Sequence, residues 1–472
     1  CTDEGLLPNY AFPEAGVILR SLIFRRRSNP KPGQGNYETT AFEYERAAAS
    51  AISELAPQSE FYAQGRKVTI DQVNMDVSEV EDWRLCKECS HTQRVSAEGG
   101  TNNCPSCGDA FWSDEGQKQQ MLRMRQVFAN TSDQKSRISD DSDDRRPRFF
   151  SRKLLVDFDG NYVKKAFRID SDDLPFGFEF VSRVTLREIN FGELSDDGQD
   201  LAVAGDTIKA RGFKVCRSCG KVHLEKRGKG NNSEPQHAFS CTARERDSAK
   251  NFFDCIYLYR EFSSEAIRIL LPLSNRDSAK GKLNSLVASL HLGLKRKFGG
   301  NTDHLKAPVY DDPDPESKLR RQYLVLYDSV PGGTGYLKEL MRSENVLLEI
   351  FDQALAALKA CDCNRDPSKD GCYRCLFAYR RANEMSSTSR NEAVKLLSEI
   401  LKYRDSLLEI PSLREISLNS LFDSELEARF VEALRRACKE ARRGDIVADK
   451  LVTDRENKLK HGYAMQIGKR HY

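Results

Sequence analysis

Twelve of the fourteen cysteines in this chain fall in or near three clusters whose spacing suits a metal ion. The first cluster is Cys86-Lys-Glu-Cys89 with Cys104-Pro-Ser-Cys107, two Cys-x-x-Cys knuckles with fourteen residues between Cys89 and Cys104. The last joins Cys361-Asp-Cys363 to Cys372-Tyr-Arg-Cys375. A tight knuckle turns two thiolates toward one ion. Four soft ligands in a closed tetrahedron select zinc and leave no position for a reacting water, which is the arrangement of structural sites. The expectation is about three zinc ions per chain, with metal binding worth on the order of 10 kcal/mol that appears mostly as folding free energy. No catalytic residue is expected among the ligands.

The second cluster opens with Cys216-Arg-Ser-Cys219-Gly220 and needs two further ligands. His237 and Cys241, at the end of the loop 228–235, are best placed, with His223 and Cys255 in competition. A redox dithiol at Cys216 and Cys219 would call for a thioredoxin-like βαβ setting, and none surrounds it. Cys1 and Cys438 are left over and read as buried, inert thiols.

A glycine-rich turn occurs in Tyr323-Leu-Val-Leu-Tyr-Asp-Ser-Val-Pro-Gly-Gly-Thr-Gly-Tyr336, between an apolar run and a helix expected to start near Gly335. Such a turn can cradle phosphate with backbone N–H groups and the helix dipole. The nucleotide-hydrolysing version requires Gly-Lys-Ser/Thr at its end, and here Gly335 is followed by Tyr336 and Leu337. ATP hydrolysis at this loop is therefore rejected, and no other segment supplies a Walker A lysine or an Asp-Glu-Ala-Asp type box. Gly332, Gly333 and Gly335 read first as a tight turn needing positive φ and second as a DNA phosphate contact.

Taken together, the glycine turn and the cluster ending in Gly371-Cys-Tyr-Arg-Cys-Leu376 resemble the MrfA-like zinc-binding domain at the C-terminus of certain superfamily-two, DEAD/DEAH-type DNA helicases. The resemblance covers most of Ser263 to Leu401 and, more loosely, Tyr10 to Val73. It implies an accessory region that braces a motor and guides DNA, so the implied partners are DNA and a helicase motor in cis or in trans, with ATP bound only in the parent motor. The long helicases of phage-defence systems such as Druantia are one setting. A stand-alone, non-enzymatic protein resembling the DISARM partner of a separate helicase is the alternative. Sequence upstream of Cys1 separates the two, and the mid-pattern opening at Leu6 reads as the interior of a longer polypeptide.

Net charge is only +3, so any nucleic-acid contact must come from local patches. Basic clusters occur at Arg25 to Arg27, Arg145 to Arg148, Lys295 to Lys297, and Arg380 with Arg381. Arg374, Arg380 and Arg381 are the favoured backbone contacts because zinc would fix the chain beside them. No run approaches the ~18 to 20 apolar residues that cross a bilayer, so no membrane partner is expected and the expected location is the cytoplasm.

The elements that position these clusters define an expected α+β, multi-domain class, with β-rich segments and helices stapled by zinc-ribbon-like sites. At about 150 residues per domain the length implies roughly three units. The expected segments are 1–82, helicase-associated; 83–115, a zinc ribbon; 116–148, a helix and mobile linker; 149–262, a β-rich unit with the second site; 263–415, the MrfA-like domain; and 416–472. Strands are read at Val17 to Phe24 and Tyr323 to Tyr327, and helices at Phe42 to Leu55, Leu283 to Leu294, Leu347 to Leu358 and Ala393 to Leu401. The stretch from Phe422 to Phe430 resembles the opening helix of restriction-endonuclease-like or phospholipase-D-like nucleases. Glu427 is weighed there as a catalytic carboxylate and set below a plain amphipathic helix.

Overall fold

The computed structural model describes residues 14–29, 34–95, 101–138, 148–170, 176–223, 236–244, 248–271, 276–299, 302–313, 320–330, 333–343, 345–366, 368–377, 385–416, 466–467 and 470–471. The fold is mixed α and β, rich in strands, as expected. Two compact units divide the chain. One takes residues 1–162, 181–266 and 308–337, and the other takes 163–180, 267–307 and 338–472. The long strands Gly177–Glu193 and Tyr257–Leu270 each supply residues to both. Among the described residues no helix is long and apolar enough to cross a membrane.

In the first unit the strand Val17–Arg26 pairs antiparallel with Tyr37–Arg46 and parallel with Gln126–Ser132, which also holds Gln72–Val73. Its burial alternates, with Val17, Leu19 and Ile23 inside and Arg20 and Phe24 outside, the two-residue period of a strand with one face on a core. The helix Ala48–Glu54 closes that core with Ala48, Ala51 and Ile52. The helical reading from Phe42 is corrected here: the strand runs on through Arg46, because Phe42 and Tyr44 alternate with the exposed Glu43 and Glu45 and pair with Ser21 and Leu19. Period two prevails over the alanine-rich helical spacing that begins only at Ala47.

A second correction concerns the segment after Gln117, read as a helix. It forms the strand Lys118–Arg123, antiparallel to Glu79–Leu85, then Gln126–Ser132, with only the single turn Asp133–Ser136 helical. Residues 139–147 of the expected linker lie outside the described residues. The hairpin Glu60–Ala63 with Arg66–Thr69 turns at Gln64 (φ 49°) and Gly65 (φ 69°), two consecutive left-handed residues as a tight hairpin demands.

In the second unit three helices, Arg276–Phe298, Val346–Ala360 and Arg390–Lys402, pack on one another. Gly293 allows the first two to approach closely, since a Cβ there would stand 2.4 Å from the Ile350 carbonyl oxygen. The strand Val163–Ile169 pairs with Leu407–Ile410. The same unit holds a buried ion pair, Arg268 with Glu179, both almost wholly shielded from solvent. The Glu179 carboxylate also accepts from the Leu413 N–H at 3.0 Å and the Ser412 hydroxyl at 3.3 Å, so its lone pairs are satisfied.

Candidate metal centres

The chain before Cys86 is a strand, Glu79–Leu85, and Thr92–Arg94 returns antiparallel to it, so the first knuckle is the turn of a β-hairpin. Cys86, Cys89, Cys104 and Cys107 are all buried and pack with Trp112 as a small core of their own. Sulfur separations are 3.6 Å for Cys86 with Cys107 and 3.7 Å for Cys89 with Cys104. A zinc–sulfur bond of about 2.3 Å in a regular tetrahedron sets sulfurs about 3.8 Å apart, so the set has the size of a zinc cage. Backbone N–H groups of Glu88 and His91 point at the Cys86 and Cys89 sulfurs from 3.4 Å, a polarity suited to thiolates.

Crowding four thiols around one point splits their acidity. Hydrogen bonding with Cys104, then with Cys107, pushes the Cys89 thiol up, while hydrogen bonding with Cys104 holds Cys107 far below the ordinary thiol value. Such a set cannot carry four negative charges without a cation among them.

The second set brings together Cys216, Cys219, His237 and Cys241, whose ligand atoms lie within 4.8 Å of one another. His237 Nδ1 stands 3.4 Å from the Cys241 sulfur and 4.0 Å from that of Cys219, and the Cys216 and Cys241 sulfurs are 3.9 Å apart. Cys255 is elsewhere, with its thiol donating to the Arg211 carbonyl at 3.7 Å, and the His223 ring packs against Phe252. The knuckle is bolted to the neighbouring sheet edge. The Val73 N–H donates to the Gly220 carbonyl at 2.8 Å and the Gln72 amide to that of Cys219 at 2.7 Å. Gly220 itself has φ 69°, and a Cβ on it would sit 1.8 Å from the Val73 carbonyl oxygen, so no other residue fits that turn.

The third set is mounted on helices. Val346–Ala360 ends at Cys361, a short 3-10 turn carries Cys363, and Cys372 and Cys375 follow on a knuckle. Sulfur separations are 3.4 Å for Cys361 with Cys363, 3.5 Å for Cys361 with Cys372, 3.7 Å for Cys372 with Cys375 and 3.8 Å for Cys363 with Cys375. All three sets are closed protein cages suited to zinc, about three ions per chain.

The glycine turn lies on the first unit after the strand Arg320–Asp328. Pro331 and Gly332 are outside the described residues, while Gly333 (φ 71°) and Gly335 (φ 84°) take the positive φ expected of a tight turn. The buried Asp328 carboxylate accepts from the Val330 N–H at 2.9 Å and from the Thr334 hydroxyl at 2.7 Å, filling the turn from within.

Among the basic candidates, Arg374 is exposed beside the third set and 3.5 Å from Asp362, while Arg380 and Arg381 lie outside the described residues. Arg25 and Arg26 are exposed, Lys297 faces Glu349 at 3.6 Å, and Arg148 is held inward by Glu193 at 2.8 Å. Cys1, Cys438 and the segment containing Glu427 also lie outside the described residues.

Sequence reasoning missed three residues that touch the cages. Trp112 packs among the first four cysteines, Asn251 donates to the Cys216 sulfur at 3.3 Å, and Arg390 donates to the Cys363 sulfur at 3.3 Å. Only Trp112 had a signal, as a large apolar side chain five residues past Cys107.

Residues 286–376 match the MrfA Zn-binding domain family, and the chain therefore carries an MrfA-like zinc-binding region. No curated protein matches the chain. The crystal structure of the DUF1998 helicase MrfA bound to DNA is similar at 11% identity and a TM-score of 0.36, over 84% of this chain and 34% of that one. The chain thus spans about a third of that helicase's length.

Proposed function

We propose that this chain is the zinc-binding accessory region of a DNA helicase, bracing a motor and guiding DNA, in anti-phage defence. The observation that carries the reading is the MrfA-like region at 286–376, with its four cysteines at zinc-cage spacing. In this reading each of the three ligand sets grips one ion: Cys86, Cys89, Cys104 and Cys107; Cys216, Cys219, His237 and Cys241; Cys361, Cys363, Cys372 and Cys375. The ions hold loops rigid, and catalysis belongs to the motor, which binds the ATP.

Arg374, Arg380 and Arg381 track the DNA backbone in the same reading. Support comes from a groove of about 670 Å3 beside the third set, lined by Arg296, Arg374 and Asp362 and floored by Ala356, Ala357 and Ala360. Small residues on that helix face leave room for a sugar-phosphate chain, and two guanidinium groups supply the charge.

The purified chain should bind duplex and single-stranded DNA without hydrolysing ATP. Alanine at Arg374, Arg380 and Arg381 together should weaken binding uniformly across sequences and flatten its salt dependence, by about one unit of slope per lost phosphate contact. DNA-stimulated ATP hydrolysis by the chain alone would overturn the accessory role. Addition of a motor, joined or separate, tells cis from trans by which arrangement restores unwinding.

A further inference from the structure

Exposed aromatic rings sit on the ligand loops themselves. Phe239 lies between His237 and Cys241 and is 91% exposed, with the Arg244 guanidinium 5.2 Å from its ring centre. Tyr373 lies between Cys372 and Cys375 and is 71% exposed, next to the outward Arg374. Phe111, four residues past Cys107, is 53% exposed and carries the Lys87 ammonium 3.4 Å from its ring centre. A large ring held in water gains little stability there; a cation stands over Phe239 and over Phe111, while Tyr373 meets the edge of Phe377 with ring centres 6.3 Å apart.

We propose that these three rings are stacking platforms for the bases of single-stranded nucleic acid, with Phe239 and Arg244 the principal pair. The inference rests on the nucleic-acid reading above and adds to it a site that serves unpaired strands alone. Duplex DNA keeps its bases in the stack and offers such a ring nothing but groove walls. A single strand offers a free π face at every base, and the neighbouring phosphate finds the arginine. A metal cage suits this use because the ring needs no reordering when a base arrives.

Binding of a fluorescein-labelled oligothymidylate and of a duplex to the zinc-loaded full chain, followed by anisotropy, is the test. Phe239→Ala should weaken the single strand about tenfold with no change in zinc content, and should leave duplex affinity alone. Phe239→Trp should retain affinity. Its emission should be quenched by the strand, against a constant background because Trp83 and Trp112 are both buried out of the strand's reach. Arg244→Ala should lower the salt slope, which Phe239→Ala should not. If Phe239→Ala binds the oligothymidylate as tightly as the parent while duplex binding persists, the platform is wrong and the DNA reading stands. Loss of all DNA binding in the parent chain defeats both. Unchanged strand binding together with quenching of Phe239→Trp by a purified helicase motor would assign the ring to a protein interface and overturn the proposal.

Discussion

The Arg390 guanidinium donates to the Cys363 sulfur from 3.3 Å, across twenty-seven positions of chain. Arg390 is 7% exposed and sits on the first turn of its helix, where Ser389 caps the N-terminus by accepting from the Glu392 N–H. A buried cation against a thiolate lowers the net charge of a four-cysteine cage and fixes the sulfur's direction. Removing it leaves the ion with the same ligands but a poorer cage. Arg390→Leu should weaken zinc at the third set by roughly 10- to 100-fold while the other two ions stay, a result readable as staged zinc release to a colorimetric chelator.

Gly220 predicts a different lesion. Alanine there adds the strain of φ 69° in a residue with a side chain, about 1–3 kcal/mol, and a collision with the Val73 carbonyl. Gly220→Ala should lose the second ion selectively, so elemental analysis should fall from about three zinc to about two per chain.

The Arg268–Glu179 pair carries a stability prediction with a built-in control. Glu179→Ala strands a guanidinium that is 1% exposed, and removal of one partner from a buried pair costs about 3–5 kcal/mol. The double change Glu179→Gln with Arg268→Met should recover part of that loss, because it removes the stranded charge and the glutamine carbonyl still accepts from the Leu413 N–H. Urea midpoints of the parent, the single and the double variant check it.

Chelation should act on the fold as well as the metal. The four cysteines of the first set are buried with Trp112 and form a core by themselves, so their ion replaces packing that the local chain lacks. A strong chelator at neutral pH should release zinc with uptake of protons by the freed thiolates. Acidification should favour the same release, because each ligand must be deprotonated to hold the ion. The emission of Trp112, which is 1% exposed, should shift to longer wavelength as the first ion leaves, and a chelated chain with unchanged emission would refute the packing role.

Much of the local structure was legible in the sequence. The helices at Leu283, Leu347 and Ala393 show one apolar stripe each, and the knuckles are local enough for spacing to reveal them. What spacing does not carry is the far partner. Arg390 reaches Cys363 and Asn251 reaches Cys216 only because helices and sheets fold back, and neither residue type announces a metal. The strand at Phe42 was hidden because its alternation abuts an alanine run, and the strand Lys118–Arg123 because Lys-Gln-Gln-Met-Leu-Arg reads equally well as helix. Its pairing with Glu79–Leu85 decides the matter, and pairing is not a property of either segment alone.

Glu179 accepts from Leu413 across 234 positions of chain, and this contact sets a schedule for synthesis. At about 5–20 residues per second, a ribosome needs on the order of 10 to 50 s to deliver Leu413 after Glu179 has emerged. Throughout that interval a carboxylate destined for a dry interior, and the strand that bears it, must wait in solvent for their mates. Nascent chains stalled between the two residues should therefore be the ones most readily captured by chaperones.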